Sequence, residues 1–162
     1  MTTELTTNPD EQFDLIQRKA KALAASTVIP KDYQNNIPNT LVALEMAHRI
    51  GASPLMVMQN LHIIHGRPSW SSTFIIAALN SCGRFSAIRF EDGEGSCKAV
   101  ATEKETGAIL SGPTVTIDMA KKEGWFQKAG SKWQTMPELM LKYRAAAFFG
   151  RLYAPEIMMG MH

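Results

Sequence analysis

The apolar residues of this chain change their spacing twice, and that pattern narrows the possible folds more than any other feature. From Asp10, the residues Phe13, Ile16, Ala20 and Leu23 recur at steps of three and four, and Phe74, Ile75, Ala78 and Leu79 repeat the habit further on. Such steps line one face of a helix, whereas alternate residues line one face of a strand. From Phe85 to Ile117 the period falls to two, and from Pro137 it is helical again. The spacing predicts helices over 10–26, 40–50 (capped by Asn39 and closed by Gly51), Pro54–Asn60, 71–83, 118–124 and Pro137–Tyr153, with a brief β run over 61–65. Strands are predicted over 85–90, 97–102 and 113–117. Their joins are turn-length, around Glu91 to Gly95 and around Glu105, Thr106 and Gly107, so the strands should pair as an antiparallel meander. The expected class is α+β: a small antiparallel sheet of about three strands flanked by helices, with a long C-terminal helix.

At 162 residues and 45% hydrophobic content the chain can bury one core. The expectation is a single domain over 10–162 after a Thr-rich, flexible lead over 1–9. Cys82 and Cys97 form no C-x-x-C pair, so neither a disulfide framework nor a zinc site is indicated. The first fourteen residues are polar and acidic and no apolar run approaches a membrane span, which points to the cytoplasm and away from membranes.

A net charge of +2 does not by itself nominate a polyanion as partner. Its distribution says more. From Asp118 to Arg151 seven bases (Lys121, Lys122, Lys128, Lys132, Lys142, Arg144, Arg151) face three acids (Asp118, Glu123, Glu138). The last predicted helix carries apolar side chains all round its axis, through Leu139, Met140, Leu141, Tyr143, Phe148, Phe149 and Leu152, which is the pattern of a largely buried helix. Arg144 and Arg151 stand two turns apart on it, within about 20° of each other and roughly 10.5 Å apart along the axis. The positions one turn away from them are Met140, Leu141, Ala147, Phe148, Ala154 and Pro155, so neither arginine has a local acid, whereas Lys142 has Glu138. An arginine in apolar surroundings needs an anion from elsewhere. Either remote carboxylates or the phosphates of a nucleic acid strand would serve.

The segment from Trp125 to Trp133 interleaves Trp125, Phe126 and Trp133 with Lys128 and Lys132, a composition suited to stacking bases while tracking a backbone, and equally to tryptophans tucked into a core. Arg67 and Trp70, with Gly66 and Pro68, form a shorter group of the same kind beside a helix start. His62 and His65 would point to opposite faces of a strand and lack a third ligand, and Glu91, Asp92 and Glu94 read as a solvated hairpin tip, so no metal site is expected. No G-x-x-x-x-G-K-[ST] loop, G-x-S-x-G elbow or H-E-x-x-H helix occurs, and neither a catalytic centre nor a cofactor is expected. Met158, Met159 and Met161 suggest core filling or a subunit contact.

Three stretches taken in order resemble the RecT and Red-beta group of phage single-strand annealing proteins, in a divergent branch. The first runs from Asn39 through Leu44, Met46, Ile50, Gly51 and Pro54 into Leu61, Gly66, Arg67 and Pro68. The second is the helix over 71–84 and the strand after it. The third joins Lys132, Trp133, Met136, Pro137 and Leu139 to Lys142, Tyr143, Arg144, Arg151, Leu152, Tyr153 and Pro155. The resemblance implies ATP-independent binding of single-stranded DNA and annealing of complementary strands through a basic groove in an oligomeric ring or filament, during phage recombination. It also implies an annealed duplex intermediate, a phage exonuclease and a host single-strand-binding protein as partners. Members of the group continue into a C-terminal region linked to partner binding, whereas this sequence ends at His162. Lys132, Trp133, Lys142, Arg144 and Arg151 match the family's pattern as groove candidates; Arg67, Trp70, Arg84, Arg89 and Lys128 join them on local grounds. The competing expectation is a phage protein-interaction module, an inhibitor or adaptor, whose tryptophans and methionines are contact anchors.

Overall fold

Both periods appear in the computed structural model, which describes residues 8–158; Met159 and Met161 lie outside the described residues. The protein is α+β, and the chain divides between Ser69 and Trp70 into two compact units.

In the first unit, Asn8 caps helix α1 (Pro9–Ala24), its Oδ1 accepting from the Asp10 amide, so Pro9 belongs to the helix and not to the lead. Ala20 and Ala24 are buried, while Phe13 and Ile16, expected on the same stripe, remain 55% and 39% exposed. A 3-10 turn (Lys31–Tyr33) precedes α2 (Ile37–Ile50). This helix starts earlier than its apolar spacing predicts, because Asn36 rather than Asn39 is the cap: Asn36 Oδ1 accepts from the Asn39 amide at 3.1 Å. Gly51, at φ +66°, closes it. Next comes α3 (Pro54–Asn60), with the predicted bounds, and a two-stranded sheet of β1 (Leu61–Ile64) and β2 (Arg67–Trp70). His65 and Gly66 join them, both at positive φ, the geometry of a tight two-residue hairpin turn. Ala43, Ala47, Val57, Met58 and Leu61 are buried with Tyr33, whose hydroxyl donates to the Leu61 carbonyl at 2.6 Å. Burial, aided by Asp32, pushes the Tyr33 phenol up to about 12.

The second unit opens with α4 (Ser72–Ser81), capped by Ser71, whose Oγ accepts from the Phe74 amide. Its sheet comprises β3 (Arg89–Gly93), β4 (Ser96–Thr102), β5 (Ile109–Ser111) and β6 (Val115–Thr116), all antiparallel. Strand β4 is central. One edge pairs with β3 across the two-residue turn Glu94 and Gly95; the other pairs with β5 near Val100 to Thr102 and with β6 near Ser96 and Cys97.

Two strand expectations need correction. The run over 85–90 is a continuous ladder only from Arg89; before it Phe85 forms an isolated antiparallel bridge with Glu103, the Ser86 amide donates to the Thr102 carbonyl, the Thr102 amide donates to Ser86 Oγ, and the Ile88 amide turns to Asn80 Oδ1. The strand expected over 113–117 is shortened to Val115–Thr116, and β5 forms between the Glu105–Gly107 turn and that strand, where no element was expected. Thr116 then caps α5 (Ile117–Lys122). A single turn of helix, α6 (Lys132–Thr135), interrupts the predicted loop before α7 (Pro137–Tyr153).

Helix α7 packs on both β4 and α4. Leu141, Ala145, Ala146 and Phe149 are buried, and the Phe149 ring meets Phe85 edge-on with centroids 5.4 Å apart. Gly112 brings the sheet close: a Cβ there would lie 3.3 Å from Phe149 Cα. Leu139 and Leu152 are exposed, so α7 is not buried on every side. Among the described residues no helix is long and apolar enough to cross a membrane.

Candidate nucleic-acid interface

Arg144, Phe148 and Arg151 follow one another on a single face of α7, since steps of four and three keep residues aligned on a helix. Both arginines are half-buried, and among the described residues neither forms an ion pair. Arg151 stacks its guanidinium 5.2 Å from the Phe148 ring centre, and its Nε is buried with no acceptor. Burial holds Arg151 below the ordinary arginine range. For Arg144, burial does the same, the like charge of Arg151 adds to it, and Glu123 opposes it. Arginine is basic enough to stay protonated through such shifts. The result is two positive charges two turns apart, of which Arg151 keeps a buried Nε with no acceptor among the described residues.

The segment between α5 and α6 supplies the ring under Arg144. Its guanidinium carbon lies 4.0 Å from the centre of the Trp125 ring. Trp125 also stacks on Trp133, with centroids 5.5 Å apart and an interplanar angle of 30°. Hydrogen bonds pin this segment: the Trp125 amide donates to the Ala120 carbonyl (2.9 Å), Ser131 Oγ donates to the Trp125 carbonyl (2.6 Å), and Gln134 Nε2 donates to the Phe126 carbonyl (2.6 Å). Gly124 and Gly130 take the positive φ at its two bends. Lys121, over the Phe126 ring, and Lys128 and Lys132 are exposed and form no ion pair among the described residues. Five of the seven bases from Asp118 to Arg151 thus form no ion pair among the described residues, whereas Lys122 pairs with Asp118 and Lys142 with Asp92 and Glu138.

Several predicted site residues fall elsewhere. Trp133 and Trp70 are only 6% and 4% exposed. Trp133 belongs to the core beneath Trp125, and Trp70 stacks on Phe74 at 4.2 Å while donating from Nε1 to the Met158 carbonyl; neither offers a free ring face to a base. Lys142 is neutralised twice, by Asp92 at 2.9 Å and Glu138 at 3.2 Å, so it ties α7 to the β3–β4 hairpin and is not a free cation. Arg84 is engaged by Glu156 and lies over Phe85. Arg89 is exposed at the start of the edge strand β3, and Arg67 is exposed on β2 in the first unit. The structure therefore groups Arg144 and Arg151 with Trp133 through Trp125. Trp125, expected within an aromatic group suited to stacking bases, instead lies under Arg144, and the sequence holds no signal for that contact across nineteen positions.

No group of three His, Cys, Asp or Glu side chains among the described residues is placed to hold a metal ion. At the α6–α7 junction an open groove of about 450 Å³ is lined by Thr135, Met136, Pro137, Glu138, Leu139 and Lys142. No protein-family model matches the chain, and a search of curated proteins finds no match.

Proposed function

We propose that this chain is a single-stranded nucleic-acid-binding protein whose second unit grips phosphates through α7 and the segment before it. More particularly, we read it as a phage strand-annealing protein of the RecT and Red-beta kind, which pairs complementary DNA strands without hydrolysing a nucleotide. The single observation that carries the first step is the pair Arg144 and Arg151, half-buried, aligned, and free of any ion pair among the described residues. Positive charges without a carboxylate partner favour an anion from outside, and phosphate oxygens are the acceptors that a two-turn spacing on a cationic face suits. The second step rests on the ordered motif resemblance.

Annealing needs no covalent chemistry. Two strands repel until cations displace their counterions, and holding both on one protein surface raises the concentration of each for the other. Assembly into a ring or filament, action in the cytoplasm, and partnership with an exonuclease and a host single-strand-binding protein belong to the same proposal. A second reading, a protein-interaction module, is favoured by Met136 and Leu139, exposed on the α6–α7 groove. The deciding experiment mixes complementary labelled oligonucleotides with the protein and no nucleotide. Accelerated annealing, with rings or filaments by particle imaging, is expected. Absence of annealing together with salt-insensitive capture of a protein would favour the module.

A further inference from the structure

We infer that Trp125 is the positioning residue of an edge-on phosphate site, holding the Arg144 guanidinium so that its N–H edge, and not its flat face, is offered to the ligand. This rests on the reading of the Arg144 face as a nucleic-acid site and names the chemistry that site selects. At 4.0 Å from the ring centre, the guanidinium sits at stacking distance, so one face of Arg144 is already covered. What remains to such a group is its fork of N–H donors, which matches two oxygens of one phosphodiester. A nucleobase could stack only on the one face that the indole leaves open.

Three further observations support a built site over a chance contact. The backbone that carries the indole is held on both sides, by the Trp125 amide on Ala120 and by Ser131 on the Trp125 carbonyl. The indole is backed by the buried Trp133. No carboxylate among the described residues pairs with Arg144, so a ring and not an acid orients it. An acid would fix the guanidinium equally well and cancel its charge; a ring fixes it and leaves the charge available.

The test uses the full chain and an oligothymidylate probe, read by fluorescence anisotropy across a salt series. Trp125→Leu should weaken binding about tenfold while the slope of log affinity against log salt stays unchanged, because the charge at Arg144 is still present. Arg144→Leu should weaken binding and also flatten that slope. Trp125→Phe keeps a ring and should remain within about threefold of wild type. In labelled wild-type protein the Arg144 side-chain signals should be displaced by the ring current and should move on adding oligothymidylate, a readout that holds even if Trp125→Leu fails to fold. Folded Trp125→Leu binding as wild type does, Trp125→Phe falling as far as Trp125→Leu, or Arg144 signals that ignore the probe would each overturn the inference. If wild type itself does not bind, the functional reading fails, and the positioning role goes with it.

Discussion

Arg151 shows most clearly what the site asks of single residues. Its Nε is buried with no acceptor, which a fold selected only for stability would avoid. Replacing it with an apolar side chain of similar reach removes that penalty. Arg151→Met is expected to stabilise the protein by about 1 kcal/mol, or roughly 2–4 °C in Tm, while weakening oligonucleotide binding. A thermal melt beside a binding titration checks both, and a lowered Tm would argue for a structural arginine. Cys97 makes a second prediction at this scale. Burial, then Asp92, pushes its thiol up to about 11, so thiol reagents at neutral pH should label the partly exposed Cys82 first, as peptide mapping would show. The arginine pair was legible in the sequence because helix geometry fixes two residues seven apart, and the absence of acids one turn away can be read directly. The partners of Lys142 and Arg84 were not. Asp92 lies 50 positions from Lys142 and Glu156 lies 72 from Arg84, and no local pattern records contacts made by tertiary folding.

Elements were legible where their signals are local. The bounds of α3 and α7 follow from Pro54 and Pro137, each opening a helix whose lost amide would be unpaired anyway. The start of α2 was misplaced because Asn36 and Asn39 are both good caps and only the bond between them decides. The sheet was harder, since the first predicted strand keeps only an isolated bridge from Phe85 to Glu103 and the Ser86–Thr102 bonds before Arg89, while the Ile88 amide turns to the Asn80 side chain. Close packing of α7 yields a contrast between two glycines. At Gly112 an added Cβ would press on Phe149 Cα at 3.3 Å and the Ala99 carbonyl at 3.4 Å, backbone atoms that cannot step aside. Gly112→Ala should destabilise by about 1–2 kcal/mol. At Gly150 the nearest atom is the end of the flexible, though buried, Met158 side chain, which can shift where backbone cannot, and alanine favours the helix, so Gly150→Ala should cost less than Gly112→Ala in denaturant unfolding. The tie between α7 and the β3–β4 hairpin should show in pH. Its hydrogen bond from Lys142 holds the Asp92 carboxyl below its usual range, so the stabilisation is complete above about pH 4, the unfolded value, and fades as pH falls through the lower folded value. Asp92→Asn should flatten the acid limb of the stability curve, measured as Tm against pH.

For the whole molecule, a net charge of +2 understates what one region presents. Ion pairs engage Arg49, Arg84, Lys98, Lys122 and Lys142; among the cations that form none among the described residues, Arg144, Arg151, Lys121, Lys128 and Lys132 all fall between Asp118 and Arg151. If these charges meet phosphates, binding must release counterions, and the salt dependence counts them: each phosphate neutralised on a single strand contributes about −0.7 to the slope of log affinity against log salt. The most direct measurement is that slope for oligothymidylate binding to wild type and to the double variant Arg144→Leu, Arg151→Leu, with circular dichroism confirming the fold. The account predicts weaker binding and a slope shallower by about 1.4, two phosphates' worth. A folded double variant with wild-type affinity and slope would contradict it.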